Sequence, residues 1–446
     1  MNISDIYNKS PSFKYIWKIS WPIMIANLAI PIVSATDTAV MGQENSPTFI
    51  AAIALGSIVF SIVYFSLNFL RMSTTGLVSQ EKGKDNDEGI KSLISLSLSI
   101  SIIIGTIIIV FSIPIINLSK FLISSSERSE TLMSEYIYYR SFAAPATLMN
   151  MVLLGVFIGI GSTRSAMIQL IFISLLNALL SIIFVIIFNL GIMGVALGTV
   201  IAQWSGWILS IIILRKLIDF NTFSISSYFN LFFYRDKNFI LIFNISKDFF
   251  IRTLCIVFAE FVLINNSAKL GNNYLAVIQI YIVFLSFISY GLDSFAHSAE
   301  TLLGQAFGKK DKITSLIVII KTLVLAVILA VFLSVILLIL GNYSFFLFTS
   351  IESLIIISTE LLPFLVILPI ISVWAFMFDG FFIGAAKSKP MRNSTIFAFV
   401  IFLLINYLIM NINPNIQMLW IGYLIFLFLR GIFLSIYFKS LFIYDN

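Results

Sequence analysis

The sequence contains one cysteine, Cys255, and one histidine, His297, in 446 residues. A single cysteine excludes an intramolecular disulfide and any cysteine metal cluster. A single histidine excludes a histidine-rich metal centre. Charge is scarce too: Asp, Glu, Lys and Arg make up 11% of the chain against 59% hydrophobic residues, where a soluble domain carries about 25% charged residues. With a mean hydropathy of +1.04, a soluble chain of this length could not hide its apolar surface. No cluster of nucleophile and base is present, so enzyme chemistry is not expected, and neither is a bound cofactor. The net charge of +6 is not gathered into a basic patch for nucleic acid. It sits mainly in short loops on alternate sides, the positive-inside pattern. The polar stretch Met1–Phe13 lacks a short apolar core with a cleavage site, so no cleaved signal peptide is expected.

What the chain has instead is apolar runs. A helix needs about 20 apolar residues to cross the hydrocarbon core, and about twelve such runs lie between polar breaks. They do not alternate as barrel strands would. The expected class is therefore an all-α polytopic membrane protein. The expected spans are Lys14–Met41, Phe49–Gln80, Ser92–Ile113, Tyr136–Gly161, Ser165–Phe188 and Ile192–Leu214. After a polar break, Lys247–Leu270, Tyr274–Gly304, Ile313–Leu340, Ser358–Ala386, Met391–Asn411 and Ile416–Phe438 follow. Ile115–Ser126 reads as a short outer-face segment and Ser126–Glu135 as an acidic outer loop. The longest break, Arg215–Asn244, divides the chain into a first lobe at 1–216, a cytoplasmic linker at 217–245 and a second lobe at 246–446. Six spans in each lobe place both termini and the central linker inside.

The halves repeat. Gly76–Lys84 after the second span echoes Thr301–Lys309 after the eighth, and the step from Gln80 to Gln305 equals that from Gly83 to Gly308. Gly155-Val156-Phe157-Ile158-Gly159 echoes Gly380-Phe381-Phe382-Ile383-Gly384 at the same offset. Both halves then enter the membrane from the same side, a parallel repeat related by an axis along the membrane normal, as in some secondary transporters. A substrate path between the lobes, open alternately to each side, follows.

One carboxylate, Asp37, ends the first run with no basic residue near it in sequence. A carboxylate inside a membrane helix is costly and by default marks an ion or substrate site; the alternative is a helix cap at the outer interface. Arg71, Arg140, Arg252, Asp293, Glu300, Lys321 and Arg430 also fall in or near apolar runs. Near helix ends such residues snorkel to the interface. Arg71 and Glu300, each shortly before its glutamine, read as gating or structural charges. Asp293 and His297 lie four apart on one helix face. His297 is either a proton relay, since an unperturbed histidine titrates at about 6.5, or a satisfied polar residue.

The motifs together resemble a known family. Trp21-Pro22-Ile23-Met24-Ile25-Ala26-Asn27-Leu28 with Asp37-Thr38-Ala39-Val40-Met41-Gly42 resembles the first helix of the MATE (multidrug and toxic compound extrusion) transporters. Leu70–Val78 resembles the second helix of their DinF-like bacterial subgroup. Gly194–Gln203, Ala299–Gln305 and Phe378–Ala385 complete the set in family order. The resemblance implies about twelve helices in two pseudo-symmetric six-helix lobes, and a cation-coupled antiporter in the plasma (inner) membrane. Its partners would be small organic, amphipathic or cationic substrates and the lipid bilayer, and it would act as a monomer.

The same resemblance assigns the first-lobe cation site to Asp37, with Asn177 and Thr199 matching the family's asparagine and threonine. Where Na+-binding relatives carry a second carboxylate, Ser181 stands. A hard cation wants oxygen ligands, with carboxylates compensating its desolvation. One charge and neutral oxygens at Asp37, Asn177 and Thr199 weaken Na+ and favour H+ as the coupling ion. In the second lobe, Asp379 matches an acidic position of the family and Glu260 is its expected companion, or else an ion-pair partner of Arg252. Protonation of Asp37 would let the first helix bend at Pro22. The rival reading is a lipid-linked oligosaccharide flippase with a cavity lined by Arg71, Arg140 and Arg252.

Overall fold

The computed structural model describes residues 10–41, 47–122, 127–218 and 237–443, with their side chains except at 28–51, 122 and 237–238. Among the described residues every regular element is helical. In the first half these are α1 (Phe13–Met41), α2 (Pro47–Ser66), α3 (Phe69–Gly83), α4 (Asp87–Val110), α5 (Ser112–Leu122), α6 (Glu127–Ser141), α7 (Ala144–Ile160), α8 (Thr163–Ile182) and α9 (Gly191–Leu217). The second half holds α10 (Lys237–Leu270), α11 (Asn272–Gly308), α12 (Lys312–Phe345), α13 (Glu352–Gly384), α14 (Ser388–Ile412) and α15 (Ile416–Ile436). Counting α2 with α3 and α6 with α7 as broken spans, and leaving α5 aside, these make twelve membrane-spanning helices in two six-helix lobes.

The apolar runs become helices because lipid offers no partner to a free N–H or C=O, and a helix satisfies both internally. Helix α12 illustrates the packing. Ile320, Val324, Ile328, Val331, Val335 and Leu338 are exposed on one side. Thr322, Ala326, Ala330 and Ser334 are buried on the other, where α12 meets α11 and α13. Large apolar side chains face lipid, and small ones let helix backbones approach.

Two expectations change. The acidic outer loop is helical: α6 begins at Glu127, whose first turn carries Glu127 and Glu130, acidic residues that favour a helix N-terminus. The fourth span is also broken, bent by 55° between α6 and α7. Pro145 sits in the first turn of α7, where its missing N–H costs nothing.

The repeat is carried into the backbone. Helix starts at Pro47, Asp87, Glu127, Thr163 and Gly191 recur, at the offset of the sequence motifs, at Asn272, Lys312, Glu352, Ser388 and Ile416. The caps recur too. Asn86 accepts from Gly89 N–H, and Asp311 from Thr314 N–H. The residues just before these caps, Asp85 and Lys310, both take positive φ, 54° and 56°.

The glycine motif explains itself by close approach. A methyl group added at Gly155 would lie 2.6 Å from the Arg71 carbonyl oxygen, and one at Gly380 2.7 Å from that of Ala296. At Gly159 and Gly384 the contacts are Thr75 and Glu300 oxygens, at 2.9 and 2.8 Å. Arg71 with Ala296, and Thr75 with Glu300, are themselves repeat equivalents. Each lobe therefore contains the same glycine-mediated crossing, α3 on α7 and α11 on α13.

By compactness, the chain divides into Ile25–Phe243 and Asn244–Asn446, and the residues up to Met24 go with the latter. In that unit Ser20 hydrogen-bonds Ser298 at 2.7 Å and Trp17 packs on Phe295. Lys321, buried in α12, donates to the Ser10 hydroxyl and the Pro11 carbonyl.

Candidate functional site

Asp37 lies in the last turns of α1, and its side chain is outside the described ones. The other first-lobe candidates come together where α8 packs on α9. Asn177, Ser181 and Thr199 are all buried. Asn177 Nδ2 donates to Thr199 Oγ1 at 2.9 Å, and Thr199 Oγ1 donates in turn to the Val195 carbonyl at 3.1 Å. The threonine's only proton is thereby committed, so it can only accept from Asn177. That fixes the amide, with nitrogen towards Thr199 and Oδ1 on the far side. Asn177 Oδ1 is buried with no hydrogen-bond partner. An unmet buried acceptor costs about 1–3 kcal/mol. The helices meet closely beside it because Gly198 leaves room for Ser181: a methyl there would lie 3.1 Å from Ser181 N and 3.2 Å from its Oγ.

One turn past an intervening isoleucine, the same stripe of α8 carries a second polar group. Asn150 Nδ2 donates to the Gln203 carbonyl and to Gln203 Oε1, at 2.8 and 3.0 Å. Gln169 Nε2 donates to the Asn150 carbonyl at 3.0 Å, leaving Gln169 Oε1 buried without a donor. Sequence reasoning missed this cluster. The signal was the four-residue spacing of Gln169, Ile173, Asn177 and Ser181, which places them on one helix face.

In the second lobe the expected companions do not pair. Asp379, on α13, is held by two arginines: Arg252 on α10 and Arg430 on α15 both donate to its Oδ2, the latter at 2.8 Å. Among the described residues Glu260 forms no hydrogen bond with Asp379 and no ion pair with Arg252. It lies some two helical turns beyond Arg252 on α10, within electrostatic reach of Tyr423. His297 Nδ1 lies 3.1 Å from Glu300 Oε1. Glu300 and Arg71 are both buried beside the glycine crossings, since the Glu300 and Arg71 carbonyls are what Gly384 and Gly155 approach. Pro22 is buried in α1, which runs unbroken through Pro22 and Pro31. Among the described residues no group of His, Cys, Asp and Glu is arranged to hold a metal ion.

The MatE family model matches residues 22–183 and 249–408, one copy in each half and together most of the chain. DNA damage-inducible protein F of Escherichia coli K12 is 30% identical over 424 residues, covering 95% of this chain and 91% of that protein. The chain belongs to the MatE family. The chain is also similar to the multidrug export protein MepA of Staphylococcus aureus, 26% identical over 213 residues, 48% of this chain and 47% of MepA. Among solved structures, a MATE protein crystallised in the straight conformation superposes with a TM-score of 0.87 at 18% identity, over 99% of both chains. This MatE protein is therefore a multi-pass membrane protein, and its relatives include a multidrug export protein.

Proposed function

We propose that this MatE protein is a cation-coupled antiporter that exports amphipathic or cationic organic compounds by alternating access, with H+ as the coupling ion and Asp37 as its acceptor. It works as a monomer in the plasma (inner) membrane with both termini in the cytoplasm. The observation that carries this reading is the orphaned Asn177 Oδ1 beside Ser181. A protonated carboxyl supplies the hydrogen-bond donor this oxygen lacks; an ionised carboxylate cannot. Na+ would also satisfy it, but Ser181 withholds the second carboxylate that would offset the ion's desolvation.

Outward-facing, Asp37 takes a proton, its charge disappears, and α1 shifts with Pro22 as hinge so that substrate leaves. Inward-facing, Asp37 loses the proton and substrate rebinds. The ion drives this only through different affinity for the two states. The flippase reading asks for converging arginines. Arg140 is instead engaged within the first lobe by the Ser57 and Tyr136 hydroxyls, and Arg252 within the second by Asp379.

The test is dye efflux from proteoliposomes with pH and Na+ gradients imposed separately, for wild type, Asp37→Asn and Ser181→Asp. Efflux driven by the pH gradient alone and abolished in Asp37→Asn supports the reading. Ser181→Asp is expected to confer a response to Na+. Wild-type efflux driven by Na+ alone would refute proton coupling, and no efflux under either gradient would refute export.

A further inference from the structure

The Arg252–Asp379–Arg430 cluster holds two guanidiniums on one carboxylate oxygen. All three residues are buried, at 5%, 8% and 5% exposure. Among the described residues the ion pairs of both arginines run to Asp379 alone. Asp293 acts on Arg252 only as a more distant negative charge, and Tyr423 stands within reach of both Glu260 and Arg430. Each arginine has about five N–H donors in a planar fork, yet among the described residues each makes a single hydrogen bond. Both Nε groups are buried with no acceptor. Phe426 lies against the Arg430 guanidinium at 5.7 Å, an apolar flank to the pair.

The repeat shows that the frame does not need this cluster. The equivalent positions in the first lobe are Asn27, Leu154 and Ser205, none charged. The first lobe builds the same helices without any of the three charges. Buried cations with unfilled donors are costly to keep, and a planar fork of donors is suited to a carboxylate, sulfonate or phosphate.

We propose that Arg252 and Arg430 form a binding site for the anionic group of a transported amphipathic solute, with Asp379 as the resident anion that holds the pair together when the solute is absent. The site thus favours anionic or zwitterionic amphiphiles over purely cationic ones. That the solute is transported rests on the exporter reading; the anion site does not.

The test compares two dyes with one chromophore: rhodamine 6G, an ester and fixed cation, and its free acid rhodamine 19, which carries a carboxylate. Binding to the purified full chain in neutral micelles is followed by fluorescence anisotropy against empty micelles. The acid is expected to bind about tenfold more tightly than the ester. Arg430→Gln should remove that preference, weakening acid binding about tenfold and ester binding by much less. Asp379→Asn should strengthen acid binding by about threefold or more, because it removes the competing carboxylate. Arg430→Lys serves if Arg430→Gln is not monodisperse, and should weaken the preference because an ammonium lacks the fork.

Equal binding of the two dyes, no binding of either, or a parallel loss of acid binding in the Asp379 and Arg430 variants would overturn the proposal, the last by showing a scaffold role only. Competitive displacement of the acid by phosphatidylglycerol but not phosphatidylcholine would uphold the site and assign its occupant to a lipid headgroup. Acid-selective binding without efflux of either dye from proteoliposomes would uphold the site while refuting the exporter reading.

Discussion

The two lobes share a backbone and differ in where they place their polar groups. Where the first lobe has Asn177, Ser181 and Thr199, the second has, at the equivalent positions, Phe402, Asn406 and Leu424. Phe402 is fully buried and packs against Tyr423 and Phe426, within an aromatic cluster that includes Trp420 and Tyr281. Asn406 is satisfied by the Phe402 carbonyl and by Asn266. So the interface between α8 and α9 keeps an unmet oxygen, while the matching interface between α14 and α15 is filled with rings. The reverse holds elsewhere: Asp379, Arg252 and Arg430 occupy positions that are uncharged in the first lobe. A duplicated frame can thus divide its chemistry, because the helix starts, caps and glycine crossings that set the frame do not involve these positions.

The most severe way to break this comparison is to move the first lobe's residue into the second. Phe402→Asn exchanges a buried ring for a smaller amide, leaving a cavity and new polar atoms, and should cost about 3–5 kcal/mol in thermal unfolding in detergent. The converse, Asn177→Phe, should be felt in transport first, since it removes the acceptor proposed to meet the coupling ion. A smaller effect tests the shared frame. Gly155→Ala and Gly380→Ala each force a methyl against a backbone oxygen, and each should cost about 1–3 kcal/mol. Equal losses confirm equivalent crossings; a large loss in one lobe alone would break the equivalence.

The smallest effect separates the lobes again. Asn86→Ala and Asp311→Ala each remove a helix cap worth about 1 kcal/mol. Only Asp311 titrates. Partial burial tends to raise its carboxyl, but hydrogen bonds from the Thr314 hydroxyl and backbone, with Lys309 nearby, hold it below the usual carboxylate range. A depressed native pKa means the cap's stabilisation is present above the unfolded value and disappears as pH falls through the native one. Unfolding at neutral and acid pH should therefore show the Asp311→Ala deficit vanishing in acid while the Asn86→Ala deficit persists.

Much of this was legible in the chain because lipid narrows the choices. An apolar run in a bilayer has little option but helix, so most of the spans and the repeat offset could be read from residues alone. In the first lobe, Asn177 and Thr199, which the resemblance groups together, are hydrogen-bonded to each other. The second-lobe site was not legible. Asp379, Glu260, Arg252 and Arg430 were all visible as costly intramembrane charges, but which carboxylate meets which guanidinium depends on three separate helices, α10, α13 and α15.

By itself, then, the sequence determined a helical membrane protein, its duplication at one constant spacing and its membership among the MatE proteins, because hydropathy and repeated motifs are local or additive along the chain. Only the tertiary structure decided that Asn177 Oδ1 is left without a donor, that Phe402 fills the corresponding place in the other lobe, and that Asp379 answers to two arginines instead of Glu260. Those outcomes depend on rotation and close packing between helices distant in sequence, and on hydrogen-bond directions that one-dimensional spacing does not carry.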